Sequence, residues 1–318
     1  MTVFAEIRHA CARVAERARE VRIDDAGLHA LADRLASEAL SEGPADPAHL
    51  RLGDDDATLA FVLLLDALNF GSGWSPVLWK PSGNSGYFTM ANALRAFCEE
   101  NGPPEAAELR GFTPARCAAL FGQEGNHAAA PLMALFARSL RELGGFVETE
   151  FGGRYGALVG EAGGLAGALV ATLARMPLYR DVSEYAGLRV PFFKRAQITC
   201  SDLAHAFGGE GYGAFVDLDE LTIFADNLVP HVLRVEGALV YDAALARRID
   251  RGELLPSGSS GEVEIRAVAL VAVERLVPLL ARRGRDVTPR SLDTLLWSLG
   301  QVGDRKSVPR HRTQCSYY

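Results

Sequence analysis

Apolar residues recur at three- and four-residue intervals along most of this chain, and that period commits it to helices. Residues 3–21 place Phe4, Ile7, Ala10, Cys11 and Val14 on one face, and residues 28–40 repeat the pattern. Asp54, Asp55 and Asp56 stand ready to cap an apolar run over 57–68. Residues 68–87, with two Trp, one Phe and several Gly and Pro, read as a loop whose aromatics fill a core edge. Helices are expected over 87–99 and 114–121, over 131–143 with a stop at Gly144-Gly145, and over 292–299. The Gly/Ala-rich run 156–174 suits closely packed helices. Residues 182–190 read as extended. Residues 262–271 begin with strand alternation and continue as a buried helix. The expectation is a mainly α fold with a small β element. The 318 residues suffice for one large domain or two closely packed helical subdomains. No repeat or long linker divides them.

A formal charge of −7 argues against duplex nucleic acid as partner, because binding there needs a basic footprint to displace counterions. A few arginines could still line a pocket for a small anion. The five cysteines form no CxxC pair, which fits a reducing compartment and gives no zinc signature. The first residues lack a signal-peptide core, and the most lipid-like stretch, 156–176, contains Glu161. The expectation is a cytoplasmic protein that needs no membrane, metal, cofactor or obligate protein partner.

Among 33 basic residues only Lys80, Lys194 and Lys306 are lysines. Lys80 lies in a polar loop and Lys306 in a basic tail. Lys194 differs, because Phe193, Ala196, Cys200, Ala204 and Phe207 form an apolar helical face beside it. Lys194, Ile198 and Asp202 share the adjoining strip. Pro191 suits the first turn of that helix, and Gly208-Gly209 ends it. A cation near a helix N-terminus opposes the dipole. Its stem either snorkels to water or its ammonium pairs with a buried carboxylate. Asp217 and Glu220 then read as a capping box for a helix that buries Leu218, Leu221, Ala225 and Leu228. Pro230 should end that helix near Val229. Asp226 would stand in its last turn, equally against the dipole. Two antiparallel helices would bring Lys194 and Asp226 together as an ion pair.

The stretches FFKRAQITCSDL, LTIFADNLVPHVL, GEVEIRA, SLDTLLWSLG and HRTQCSYY, with DALNFGSGW upstream, resemble the queuosine salvage proteins. The resemblance runs from about His49 to Tyr318. It implies a helical fold similar to the helix-hairpin-helix DNA glycosylases. It also implies an N-glycosyl hydrolase that acts on queuosine 5′-phosphate and releases queuine for salvage into tRNA modification. Lys194 and Asp226 fall on the family's proposed active-site pair. Family members usually carry Tyr-Arg after FAD and Gln after the proline, where this chain has Asn227, Leu228 and His231.

Breaking an N-glycosidic bond builds positive charge on the sugar, which a carboxylate can stabilise, attack or relieve through an activated water. Asp226 is the candidate, with Lys194 holding it charged and oriented. Queuine is a 7-deazapurine, so protonation at N7 cannot assist departure, and the sugar side must supply more of the acceleration. Asp293 could accept from the guanine-like edge of the base, with Ser298 as a weaker contact. Phe224 could stack on the base, and His49 could touch the ligand. Arg195, His311 and Arg312 are candidates for the 5′-phosphate. GEGYG lacks the context of a P-loop. A non-catalytic nucleobase binder and a base-excision enzyme acting on polynucleotide are the competing classes.

Overall fold

The computed structural model describes residues 1–37, 46–49 and 51–318. Residues 38–40 of the second expected helix lie outside that set. The chain is mainly helical, with two small two-stranded sheets. It divides into two units, each assembled from separate segments.

The first unit takes Met1–Pro44, Val182–Lys194 and Asp219–Gln314. Its centre is the helix Ser260–Ala281, buried from Gly261 to Leu270 without a break. The strand-like alternation of EVEIR therefore belongs to a helix that is covered on every side. Such a helix carries no polar stripe, and periodicity cannot identify it. The helices Val3–Ala15, Asp25–Ser37, Val229–Val235 and Pro289–Gly300 pack on it. The first helix stops at Ala15, short of the expected residue 21, because Val21–Ile23 is a strand paired antiparallel with Leu239–Tyr241. The expected extended segment is a hairpin of Val182–Tyr185 with Leu188–Pro191.

Glu264 fixes the first strand. Its Oε2 accepts from the amides of Arg19, Glu20 and Val21 at 3.0, 2.7 and 3.0 Å, and its Oε1 accepts from the Tyr185 hydroxyl at 2.7 Å. Three charge-assisted bonds to one oxygen secure a turn that local sequence would leave loose.

The second unit takes Ala45–Asp181, Arg195–Leu218 and Cys315–Tyr318. Asp54 caps the helix Asp55–Ala67 as expected, accepting from the Ala57 amide at 2.8 Å. The helices Gly86–Asn101 and Pro114–Leu120 form where periodicity puts them. In the loop before them Trp74 is buried, whereas Trp79 stands exposed. The helix Ala130–Phe151 runs straight through Gly144-Gly145 instead of ending there. A Cβ on Gly144 would lie 2.4 Å from the Ala106 carbonyl oxygen, so this glycine permits a close helix contact and is no stop signal. The Gly/Ala-rich run gives two short helices, Tyr155–Gly160 and Ala166–Leu173. Asp217 makes no capping box with Glu220. Its carboxylate accepts from the amides of Ala166 and Gly167 at 2.6 and 3.0 Å and so caps the second of these helices.

Candidate active site

Residues 221–225 form no helix or strand, and the next helix is Val229–Val235, with Pro230 in its first turn. The expected helix ending at Val229 is therefore absent. Pro has two readings near a helix, and here the starting one applies: its missing N–H costs nothing in a first turn. Asp226 consequently precedes a helix instead of ending one. Its Oδ1 accepts from the amides of Leu228 at 2.7 Å and Val229 at 3.2 Å. A short acidic side chain that bonds amides two and three residues on forms a stable local turn. The dipole favours the carboxylate at this end, so the anomaly read from the sequence dissolves.

Lys194 is buried at the first residue of the helix Lys194–Ala206. Pro191 belongs to the preceding strand and is not in this helix. The link is Phe193, whose φ of 48° is rare for a bulky side chain. Such a conformation costs about 1–3 kcal/mol and persists only where its surroundings enforce it. Asp226 makes no ion pair among the described residues, so the expected direct contact with Lys194 is not formed.

The irregular strap around Asp226 is pinned from three sides within the first unit. Asp293, buried in the helix Pro289–Gly300, accepts from the Phe224 amide through Oδ1 at 2.9 Å. Arg266 donates through Nε to the Ala225 carbonyl at 2.8 Å. Asn227 donates through Nδ2 to the His311 carbonyl at 3.2 Å. The Arg266 guanidinium also lies 3.9 Å from the Phe192 ring centroid, and its Nη1 pairs with Glu262 at 3.5 Å. One buried cation thus touches the chain immediately before Asp226 and two residues before Lys194. Arg266 lies in the GEVEIRA stretch, but spacing gave it no role, because its strap partner is 41 positions away in the chain.

Phe224 is buried and Ser298 half-buried. Arg312 donates to the Gly252 carbonyl at 2.5 Å, and its own carbonyl accepts from Leu255 at 2.9 Å. His311 is buried; burial, then the charges of Arg266, His231 and Arg310, push its pKa down to about 3. It is neutral at pH 7 and offers no cation. The unfolded imidazole protonates near 6.5 while the folded one resists until about 3, so the unfolded state binds more protons between those values. Stability from this site is complete above that window and falls as pH drops through it. Urea unfolding at pH 7 and pH 5 should show a smaller loss in His311→Asn than in the parent.

His49 and Arg195 belong to the second unit. His49 Nε2 is 3.3 Å from Asp202 Oδ1, and its ring centroid is 4.4 Å from that of His205. Nearby, Asp46 accepts from the Tyr87 hydroxyl at 2.6 Å. Burial and then the charge of Asp202 raise the Asp46 pKa. Arg195 is buried. Nη1 donates to the Ala67 carbonyl at 2.6 Å, Nη2 donates to the Leu178 carbonyl, and the guanidinium lies 4.3 Å from the Tyr179 ring centroid. Its fork is spent on structure. All five cysteines are buried thiols. Among the described residues no cluster of His, Cys, Asp or Glu could hold a metal, and no helix is long and apolar enough to cross a membrane.

Comparison with known proteins gives the same direction as the motifs. The family model described as queuosine salvage protein matches residues 48–318. A queuosine 5′-phosphate N-glycosylase/hydrolase of Sphaerobacter thermophilus is 39% identical over 313 residues, covering 96% of this chain and 95% of that protein. The proteins of that name from Mus musculus and Schizosaccharomyces pombe are 31% and 28% identical, covering 96% and 94% of this chain and 96% and 95% of their own lengths. With the family model matched from residue 48 to the last residue and relatives aligned across nearly the whole length, the chain belongs to the queuosine salvage protein family.

Proposed function

We propose that this chain is a hydrolase that cleaves the N-glycosidic bond of queuosine 5′-phosphate in the cytoplasm and releases queuine for salvage into tRNA modification. The observation that carries the reading is the Asp226 carboxylate, half-buried and held by two amides through Oδ1. Its Oδ2 has no hydrogen bond among the described residues and is the oxygen available to C1′. The bond from C1′ to the base breaks with its electron pair leaving on the base. The carboxylate opposes the positive charge left at C1′. Water then adds its oxygen to C1′, and the proton it loses ends on the nitrogen of the departed base, giving the free base and ribose 5-phosphate. Lys194, outside ion-pair distance of Asp226, is assigned to the polar atoms of the substrate. A surplus of acidic groups, net −7, favours a small nucleotide over a polynucleotide substrate. Incubation of the folded protein with queuosine 5′-phosphate should yield queuine by mass spectrometry. A protein that binds the nucleotide yet yields none would refute the reading.

Asp293 is assigned to the donor edge of the base. It also holds the Phe224 amide, so the informative change is Asp293→Asn, which keeps an acceptor there. The variant should raise KM about tenfold or more, since a hydrogen bond to a charged group contributes about 1.5–3 kcal/mol. Its melting temperature should stay close to the parent's. Asp293→Ala should lower both affinity and stability. An unchanged KM in Asp293→Asn would remove the base contact from this residue.

A further inference from the structure

Arg310 is a cation without a visible job. Its residue is half-buried, and it makes no hydrogen bond or ion pair among the described residues. Its backbone is well fixed. Asn227 donates to the neighbouring His311 carbonyl at 3.2 Å, His231 Nε2 lies 2.8 Å from the Arg305 carbonyl oxygen, and Arg312 bridges to Leu254. The segment carrying Arg310 is thereby laid beside Asn227 and the first turn of the helix Val229–Val235. Burial lowers the Arg310 pKa, and the charge of Asp226 raises it again. A guanidinium nonetheless stays charged at neutral pH. Burial depresses the His231 and His311 pKa values, and the same positive charge lowers both further.

A partly desolvated cation with no ion-pair partner among the described residues costs stability unless an anion arrives to meet it. Asp226 is near enough for its charge to act on Arg310 but is not paired with it. Direct pairing would consume the carboxylate that the chemistry needs. The two charges instead suit a ligand with two unlike ends. A ribose phosphomonoester is such a ligand, gaining positive charge at C1′ and carrying negative charge at its 5′ end. The planar fork of arginine matches phosphate oxygens in pairs. We propose that Arg310 anchors the 5′-phosphate of the substrate while Asp226 faces C1′. This rests on the hydrolase reading above. It replaces Arg195 and His311 in that role, the first engaged with carbonyls and the second neutral.

The test compares turnover of queuosine 5′-phosphate and of queuosine by the parent, Arg310→Gln and Arg310→Lys. Arg310→Gln should lose about tenfold to a hundredfold in kcat/KM on the phosphorylated substrate, the range expected for one charged hydrogen-bonding contact. Its turnover of the nucleoside should change less than about twofold, and Arg310→Lys should retain more phosphate preference than the Gln variant. Equal losses on both substrates, or no loss on either, would overturn the assignment. Competition by ribose 5-phosphate gives a readout independent of catalysis. Arg310→Gln should weaken it by the same factor relative to the parent, and unchanged affinity would also overturn the anchor. A parent protein that binds ribose 5-phosphate through Arg310 yet releases no queuine would refute the hydrolase reading while leaving the anchor standing.

Discussion

Asp226→Asn should abolish queuine release while leaving nucleotide binding and folding nearly intact. Asn preserves Oδ1 as an acceptor for the amides of Leu228 and Val229, so the turn before the helix Val229–Val235 survives. Stability should stay within about 0.5 kcal/mol of the parent. What disappears is the negative charge opposite C1′. General acid–base and electrostatic contributions of this kind are each about a hundredfold to ten-thousandfold. A 7-deazapurine cannot be helped to leave by protonation at N7, so the upper part of that range applies. Single-turnover kinetics with labelled nucleotide, beside calorimetric binding, separates the two effects. Retention of more than about a tenth of the parent rate would remove Asp226 from the chemistry, because that is well below what a missing charge should cost.

Arg266→Met should be the most destabilising single change in the first unit. Arg266 and Glu262 are both almost fully buried and pair at 3.5 Å. Removing one partner of a buried pair costs about 3–5 kcal/mol, because the other charge stays behind. The Ala225 carbonyl also loses its donor. Urea unfolding should show the loss as a lower midpoint with an unchanged slope. Replacing both members, Glu262→Met with Arg266→Met, should recover most of it, since a buried pair contributes little beyond an apolar substitute. Turnover should not recover with it, because the strap before Asp226 still lacks its tether. A double variant with restored stability and full activity would show that the tether has no bearing on Asp226.

Helices with one apolar stripe were legible from spacing alone. The helix Asp55–Ala67 is capped by Asp54 as the acidic run suggested. Where sequence reading failed, the signal was either two-valued or distant. Pro230 can close a helix or open one, and only tertiary structure selects the opening. Gly144 looked like a stop because its need for a short helix contact is invisible locally. Lys194 does begin its helix as the spacing suggested, Asp226 does not end one, and the two lie in one unit. The residues that hold Asp226 could not be found by spacing. Asp293 and Arg266 reach their strap partners across 69 and 41 positions. Arg310 sat unnoticed one position before the HRTQCSYY motif.

The grip of Glu264 on the amides of residues 19–21 bears on the order of events during synthesis. Those contacts span 243–245 positions, and the strand Val21–Ile23 also waits for Leu239–Tyr241. When the first helix leaves the ribosome, nothing yet exists to receive it. The long continuous segment Ala45–Asp181 can organise sooner, being made mostly of nearby helices. The unit holding Asp226 closes only after its clasp at position 264 has been translated, so the N-terminal helix and strand spend nearly the whole of translation without their partners.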